Sequence, residues 1–291
     1  MKKSIGIIGV GMMGHGIATN IAKQGYPLTV LDHPGNQPID VLLAARVSTV
    51  GNAAELARTS DVIILCVTGS SQVEEVLYGT SGLLEGIKRN SVVIDCSTSI
   101  PSSTLKIAAS VEEAGAHFID APMTRTPKEA AEGRLNLIVG GDEAVFKECE
   151  SLLSTFAENI VFAGPVASGH RLKLLHNFVS LGFSALLAEA AACANRMGVD
   201  PEVLVQVLAT GGGEGAILRR LKPYIESSDS SGFRFSIANA LKDMHYYTTM
   251  AWETGAADEA AQAIRRIYQR ASEVSPTNTT VPELISILGK G

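Results

Sequence analysis

The chain has 291 residues, of which 46% are hydrophobic and 19% charged, and its formal net charge is −6. This composition supports a full hydrophobic core and excludes an intrinsically disordered protein. The negative balance and the lack of a basic run disfavour nucleic acid and anionic membrane surfaces as partners. The length predicts about two domains.

The chain opens with a pattern typical of a dinucleotide-binding βαβ unit. An apolar segment at 3–9 predicts a strand, the segment 11–24 predicts a helix, and 28–31 predicts a second strand that ends at Asp32. The turn between the first strand and the helix reads Gly9-Val-Gly-Met-Met-Gly14. Strand, glycine turn, helix, strand and acid together predict nucleotide binding.

Each glycine of this turn has a predicted role. Gly9 permits the tight turn, Gly11 lets the backbone approach a pyrophosphate, and Gly14 lets helix and strand pack closely. The N–H groups and the positive dipole of the helix start then face the phosphates. Asp32 is placed to accept hydrogen bonds from the ribose hydroxyls and to repel a 2′-phosphate, which favours NAD over NADP. His33 follows it and leaves NADP open as an alternative.

Strands and helices alternate through the first half, which predicts a mostly parallel, doubly wound sheet. Further strands are predicted at 61–67, 91–95, 116–120, 135–139 and 159–162, with helices at 70–78, 101–114 and 142–156. After Gly164-Pro165 the strands stop, and helices are predicted at 170–197, 201–210, 214–226, 235–254, 257–272 and 281–288. The segment 170–197 is apolar nearly all round, so we expect a helix that is buried on most sides, between two domains or in a subunit interface.

The expected fold class is therefore α/β, with an N-terminal Rossmann domain over 1–165. An all-helical C-terminal domain over 166–291 is predicted to include a long interdomain helix. The default ligand site is a cleft between the two domains.

The cysteines point to a reducing compartment. Cys66, Cys96, Cys149 and Cys193 are scattered, without a CxxC motif, as in reduced thiols of a cytoplasmic protein. The apolar start of the chain is broken by glycines and has no cleavage site, which argues against a signal peptide. No apolar run approaches the ~18 residues of a membrane span, and no histidine or cysteine spacing predicts a metal.

Four motifs occur in order along nearly the whole chain. They are Gly9–Gly14 continuing to Ala18 and Asn20; Asp120-Ala-Pro-Met-Thr-Arg-Thr126 with Gly133 and Val139-Gly-Gly141; Gly164-Pro-Val-Ala-Ser-Gly169 leading to Lys173 and Asn177; and Lys242-Asp243. With this spacing the chain resembles the β-hydroxyacid dehydrogenase family of the 3-hydroxyisobutyrate dehydrogenase type. The resemblance implies an NAD-dependent oxidoreductase that acts on a small β-hydroxyacid or its aldehyde and forms a homodimer or homotetramer.

In this resemblance Lys173 carries the chemistry. Oxidising an alcohol requires a group that takes the hydroxyl proton, and a lysine must be desolvated to serve near neutrality. Asn177 lies one turn on, on the same helical face, where it can align the lysine and the substrate. Two alternatives stay open: a lysine that packs only its stem and keeps its charged head in water, and His176 as a rival base. The family usually has asparagine at position 176.

The substrate loop departs from the Ser-Gly-Gly run that many members carry after Asp-Ala-Pro. Arginine offers a planar, permanently charged fork for a two-oxygen anion, and the Arg125-Thr126 pair resembles the sulfolactaldehyde reductase branch. An exposed loop arginine without a ligand is the alternative. The predicted substrate contacts are Met123, Thr124, Arg125, Thr126, His176 and Ser180.

The remaining predicted contacts are to the cofactor. The resemblance carries over Thr98, which follows a strand at the carboxyl edge of a parallel sheet, where ligands bind. It also carries over Lys242, on the nicotinamide side, for which a surface pair with Asp243 is the alternative. The full predicted set is Gly9, Gly11, Met12, Met13, Gly14, Asp32, Val67, Thr98, Phe235 and Lys242.

The expected substrate is a small anionic aldehyde, with sulfolactaldehyde favoured by Arg125. The alternatives within the class are 3-hydroxyisobutyrate, tartronate semialdehyde and succinic semialdehyde. A non-catalytic NAD(P)-binding sensor is the alternative from a different class. Imine reductases share the expected architecture but generally lack the lysine.

Overall fold

The computed structural model describes residues 2–290. The chain divides into two compact units, Met1–Lys173 and Leu174–Gly291. The division falls inside one long helix, a few residues beyond the domain boundary predicted at 165/166.

The first unit is built on one mixed sheet. Its strands are β1 (Ile5–Ile8), β2 (Leu28–Leu31), β3 (Ser48–Val50), β4 (Val62–Leu65), β5 (Val92–Asp95), β6 (His117–Asp120), β7 (Met123–Thr124), β8 (Leu135–Gly141) and β9 (Ala157–Gly164). They lie in the order β3-β2-β1-β4-β5-β6-β8-β7, with β9 paired to β8. The six strands β1 to β6 are parallel to one another, whereas β8 runs antiparallel to β6 and β7. The predicted mostly parallel, doubly wound sheet is confirmed.

The strand order reverses between β1 and β4, so their carboxyl ends open the crevice in which such sheets bind ligands. Both faces of the sheet are buried. Ile5 and Ile7 of β1 pack in one hydrophobic cluster and Ile8 packs in the other. Successive side chains of a strand point to opposite faces, and a parallel sheet is covered on both. The continuous β-branched runs of the sequence reflect this double burial.

Helices of the first unit connect the strands. They are α1 (Gly14–Lys23), α2 (Asp40–Ala44), α3 (Ala53–Thr59), α4 (Ser70–Tyr78), α5 (Pro101–Glu113), α6 (Pro127–Glu132) and α7 (Glu143–Leu153). Asn52 caps α3 by accepting from the Glu55 N–H at 2.8 Å, and Asp142 caps α7 in the same way. The sequence did not predict α2, α3, α6, β3 or β7, because elements this short show too little periodicity.

Asp61 precedes β4 and has three stabilising contacts. Its Oδ2 accepts from the N–H and hydroxyl of Ser4 at 2.9 and 2.8 Å, and Lys88 Nζ lies 2.7 Å from Oδ1. These contacts, the Lys88 bond foremost, lower the pKa of Asp61 from 3.8 to about 2. Because the folded pKa lies below the unfolded one, the carboxylate stabilises the fold above the unfolded pKa and loses this effect as the pH falls toward the folded pKa.

We expect Asp61→Asn to lower the free energy of unfolding by roughly 0.5–1 kcal/mol near neutral pH, a small value because the ion pair is half exposed. Urea titrations should show this deficit shrinking as the pH falls from 3.8 to about 2. A deficit of the same size across that interval would contradict the carboxylate's role.

Six helices are described in the second half of the chain, within residues 168–288. They are α8 (Ser168–Arg196), α9 (Pro201–Ala209), α10 (Ala216–Ser227), α11 (Ile237–Thr254), α12 (Glu259–Glu273) and α13 (Leu284–Leu288). Asp200 caps α9 and Ser236 caps α11, which ends at Gly255 with a φ of 68°. The fully buried Tyr268 of α12 donates its hydroxyl to the Leu181 carbonyl at 2.8 Å. The predicted all-helical second half is confirmed.

The long helix α8 is less buried than its sequence predicts. Leu174, Leu181 and Leu187 are buried, but one stripe is exposed. Its members, spaced three to seven residues apart, are Leu172, Leu175, Val179 and Leu186. By length and hydropathy alone α8 also meets the requirements for crossing a membrane, whereas 56% of its most apolar window is buried within the protein. Core helices meet the same requirements, and the burial favours that interpretation.

All four cysteines are free thiols. Burial raises the pKa of Cys66 to about 12 and that of Cys149 to about 11. Buried, protonated thiols are unreactive, whereas Cys193 is exposed.

Candidate active site

The glycine turn between β1 and α1 has the geometry its sequence predicts. Gly9 has a φ of 95°, and a Cβ there would overlap the carbonyl of Cys66. At Gly14 a Cβ would overlap the Gly9 carbonyl, whereas at Gly11 it would meet nothing within 4 Å. Gly9 and Gly14 are therefore needed for the fold itself. Gly11 borders open space at the start of a helix, and this cradle fits a dinucleotide pyrophosphate.

Asp32 lies just beyond β2 and is exposed. The loop after it is held against the glycine turn by Asn36, whose Oδ1 accepts from the Val10 N–H at 3.1 Å. Asn36 Nδ2 donates to the Leu31 carbonyl at 2.9 Å. Sequence reasoning missed Asn36, since no local pattern marks an asparagine that bonds a backbone 26 residues away.

Val67 and Thr98 follow two adjacent strands, β4 and β5, in which Leu65 pairs with Asp95. The Val67 N–H donates to the Ser97 hydroxyl at 3.1 Å, which joins the two strand ends. Thr98 itself is half-buried. The structure thus brings the glycine turn, Val67 and Thr98 to one carboxyl edge of the sheet, where the cofactor was predicted to bind.

The predicted substrate loop has extensive contacts within the first unit. Met123 is buried in the core, and Thr124 accepts from Asn136 Nδ2 at 3.1 Å. Thr126 caps α6 and donates its hydroxyl to Glu129 at 2.5 Å, which lowers the pKa of that carboxyl. These side chains hold the loop in place, and direct substrate contact by them stays a prediction.

Arg125 stands at a φ of 82°, a left-handed conformation that costs a non-glycine residue about 1 kcal/mol. Its Nη1 donates to the Arg134 carbonyl and pairs with the carboxylate of Glu158. Both contacts use Nη1, and a guanidinium carries further donors on Nη2 and Nε. An anion binding to Arg125 would share the guanidinium with Glu158.

Helix α8 presents Lys173, His176, Asn177 and Ser180 over two turns. Lys173 and Ser180 are half-buried, whereas Asn177 is 7% exposed. Asn177 Nδ2 donates to Asp243 Oδ2 at 2.6 Å. Because a carboxylate only accepts, the Asn177 amide has one orientation, with Oδ1 directed at His176 Nδ1 at 3.0 Å. His176 must then carry a proton on Nδ1.

Asp243, in the second unit, contacts both Asn177 and Lys242 and is 2% exposed. Lys242 Nζ lies 3.1 Å from Asp243 Oδ1, as an ion pair without hydrogen-bond geometry, and 5.3 Å from the centre of the Tyr246 ring. Phe235 precedes α11 and stacks on Phe233, with ring centroids 6.0 Å apart. Sequence reasoning recorded Asp243 only as the neighbour of Lys242. Its bond to Asn177 depends on the packing of α11 against α8.

Among the residues that the structure describes, no group of three or more histidine, cysteine, aspartate or glutamate side chains is arranged to hold a metal ion. The glycine cradle and the strand-edge residues of the first unit are those of a dinucleotide-binding domain. Residues 4–164 match the family model of the NAD binding domain of 6-phosphogluconate dehydrogenase. Residues 167–288 match that of the NAD-binding region of NADP-dependent 3-hydroxyisobutyrate dehydrogenase. The chain belongs to the β-hydroxyacid dehydrogenase family, as its motifs predicted.

Named relatives support this membership. The chain is 30% identical to 3-sulfolactaldehyde reductase of Escherichia coli, over 92% of this chain and 90% of the relative. It is 32% identical to NAD-dependent L-serine dehydrogenase of Pseudomonas aeruginosa, over 90% of this chain and 86% of the relative. The solved 3-hydroxyisobutyrate dehydrogenase of Mycobacterium tuberculosis shares the fold, with a TM-score of 0.87, 23% identity and 99% coverage of both chains. The protein is an oxidoreductase with an NAD or NADP cofactor.

Proposed function

We propose that the protein interconverts a small anionic β-hydroxyacid and its aldehyde with NAD, using Lys173 as general acid and base. The observation that carries this proposal is that Lys173 and Asn177 lie one turn apart on α8. The Asn177 amide is oriented by the buried Asp243 at 2.6 Å. A non-catalytic nucleotide sensor has no need of an oriented amide beside a lysine.

In the oxidation direction Lys173 takes the proton of the substrate hydroxyl, and in reduction its ammonium returns the proton to the nascent alkoxide. The nicotinamide, when bound, supplies the hydride acceptor or donor. Asn177 aligns the substrate oxygen with the lysine. His176, with its proton on Nδ1, offers a second polar group beside Asn177, and we infer that it contacts the substrate.

Arg125 supports an anionic substrate, with sulfolactaldehyde as the favoured member. Carboxylates such as 3-hydroxyisobutyrate, tartronate semialdehyde and succinic semialdehyde are the alternatives. The test follows absorbance at 340 nm while NADH or NADPH is mixed with each aldehyde and with a neutral aldehyde as control. We expect turnover confined to anionic aldehydes. No turnover, with NADH still bound, would overturn the proposal in favour of a sensor.

Arg125 can be tested with a substitution that suits its backbone. We expect Arg125→Gly to raise KM for the anionic aldehyde about tenfold to a hundredfold, since hydrogen bonds to charged groups contribute about 1.5–3 kcal/mol. Glycine also relieves the left-handed strain, so a folding defect is not expected. Steady-state kinetics with a neutral aldehyde provide the control. Equal losses for both substrates would indicate a structural arginine.

Glu158→Gln is the matched variant, because it removes the carboxylate that competes for the guanidinium. We expect it to lower KM for the anionic aldehyde. A rise in KM would show that Glu158 positions Arg125 rather than competing for it.

The preference for NAD rests on Asp32. We expect Asp32→Ala to raise KM for NADH about tenfold or more, through the lost bonds to the ribose hydroxyls. The ratio of the KM values for NADPH and NADH should fall as well. Parallel titrations of wild type and variant with both cofactors measure this. A wild-type preference for NADPH would contradict the role of Asp32.

We infer that the protein is a homodimer or homotetramer of the cytoplasm. Support comes from the exposed apolar stripe of α8 and from other exposed apolar side chains of the second unit, such as Val207 and Trp252. Contiguous exposed apolar surface is typical of protein interfaces. The free thiols agree with a reducing compartment. Light scattering of the purified protein separates a dimer from a tetramer.

A further inference from the structure

His170 is a fully buried histidine that the proposed mechanism does not use. It is the third residue of α8 and is 0% exposed. Its Nδ1 lies 2.8 Å from the Thr104 hydroxyl of α5, and its Nε2 lies 3.2 Å from the Ser97 carbonyl. Both ring nitrogens therefore have partners inside the first unit.

Two buried carboxylates flank the ring. Asp95 Oδ2 lies 3.8 Å from Nε2, and Asp120 Oδ2 lies 3.8 Å from Nδ1. Asp95 and Asp120 end the adjacent strands β5 and β6, and both are 0% exposed. Two anions in so dry a place are costly unless a cation and hydrogen bonds compensate them.

The hydrogen bonds restrict the protonation of the ring. The Ser97 carbonyl can only accept, so Nε2 carries a proton. The Thr104 hydroxyl has one hydrogen, and its Oγ1 lies 3.2 Å from the Ile100 carbonyl, to which it donates. The same hydroxyl lies 2.8 Å from Nδ1, and when it donates to Ile100 its oxygen is free to accept a proton from Nδ1. Protons on both nitrogens make the ring an imidazolium, a cation placed between the two buried carboxylates.

We propose that His170 is a buried imidazolium, held between Asp95 and Asp120, which locks the first turn of α8 to the sheet and so positions Lys173. Burial raises the pKa of the Asp120 carboxyl, and the charge of His170 opposes that effect. Lys173 follows His170 by three residues on α8, so any shift of this turn moves the lysine. The positioning role rests on the proposed function of Lys173.

Asp120 connects the start of α8 to the sheet through two hydrogen bonds. Asp120 Oδ1 accepts from the Ala167 N–H at 2.7 Å, and Oδ2 accepts from the His170 N–H at 2.8 Å. Asp120 thus does the work of an N-cap side chain from a distant strand, because the residue before the helix is an alanine. Ala167 has a φ of 72°, a strained conformation for alanine that these bonds hold in place. Without the ring charge, Asp120 would face Asp95 with no cation between them.

The charge of the ring can be measured directly on the wild-type protein. We would label the protein with 15N-histidine and record long-range proton–nitrogen correlation spectra at neutral pH, using His170→Gln to assign the buried ring. Two protonated nitrogens are expected. A ring nitrogen with the 15N chemical shift of an unprotonated imidazole nitrogen would overturn the proposal, whatever the activity of the enzyme.

Kinetics test the positioning role. We expect His170→Gln to lower kcat about tenfold, as for a small misplacement of a catalytic group, while KM for NADH changes less than twofold. Adding Asp95→Asn should recover part of kcat, because it removes one uncompensated anion. A further loss in the double variant, or an unchanged kcat in His170→Gln, would overturn the proposal. His117→Gln, at an exposed histidine of β6, is the matched control.

The two proposals fail in distinguishable ways. If Lys173→Met keeps full turnover, the proposed function of Lys173 fails, while the 15N spectrum still decides the charge of His170. If the spectrum shows a neutral ring and Lys173→Met is inactive, the proposed function stands and the buried cation is wrong.

Discussion

Lys173→Met should lower kcat by about 10²–10⁴, the range for removal of one general acid–base group, with little change in the affinity for NADH. Methionine keeps the unbranched stem of lysine and its helix propensity, so α8 should fold as before. The glycine turn predicted to hold the pyrophosphate does not involve Lys173. Steady-state kinetics with the preferred aldehyde and calorimetric titration with NADH measure the two quantities separately.

A matched control is Lys222→Met, at an exposed lysine of α10 that pairs with Glu226. It should leave kcat and NADH affinity unchanged. If Lys173→Met retains most of its turnover while His176→Asn loses it, the histidine is the base and the role assigned to Lys173 is wrong. We expect both variants to lower kcat/KM, through kcat in Lys173→Met and mainly through a higher KM for the substrate in His176→Asn.

Gly11→Ala should weaken NADH binding about tenfold or more, roughly 1.4 kcal/mol, without lowering the melting temperature. A Cβ at Gly11 meets nothing within 4 Å in the structure, so the fold has room for it. The methyl group would instead stand where the backbone must approach the pyrophosphate. Calorimetric titration with NADH and thermal unfolding of the same sample test both halves of this expectation.

Gly51→Ala is the control, since a Cβ there also meets nothing within 4 Å. It should change neither the affinity for NADH nor the melting temperature by much. Any effect of Gly11→Ala is then due to its place in the glycine turn and not to the exchange of glycine for alanine. Wild-type affinity in Gly11→Ala would mean that the pyrophosphate does not approach this residue. A lower melting temperature in Gly11→Ala alone would mean that Gly11 serves the fold.

The sequence predicted those elements whose signal is local. Buried strands such as β1 and β4 are continuous β-branched runs, and long helices such as α5 and α7 repeat their apolar residues with a helical period. The glycine turn was predictable because its requirements, a positive φ at Gly9 and close approach at Gly14, are met by glycine alone. Short elements were not predicted. β7 has only two residues and exists through its pairing with β8.

In the candidate site, too, the sequence predicted local features but not contacts between distant residues. The spacing of Lys173 and Asn177 on one helical face follows from the sequence, as does the position of Asp32 at the end of a strand. The partners of these side chains do not. Asn177 meets Asp243, Arg125 meets Glu158, and His170 meets Asp95, in each case across 33 or more residues of chain.

By itself the sequence determined the α/β and all-helical halves, the glycine turn and the family, because each depends on residues close together in the chain or on motifs in a recognisable order. Only the tertiary structure decided that Arg125 is paired with Glu158, that Asn177 has one amide orientation, and that α8 leaves an apolar stripe exposed. These depend on which strands and helices become neighbours. That choice minimises the free energy of the whole chain, so no local pattern of residues contains it.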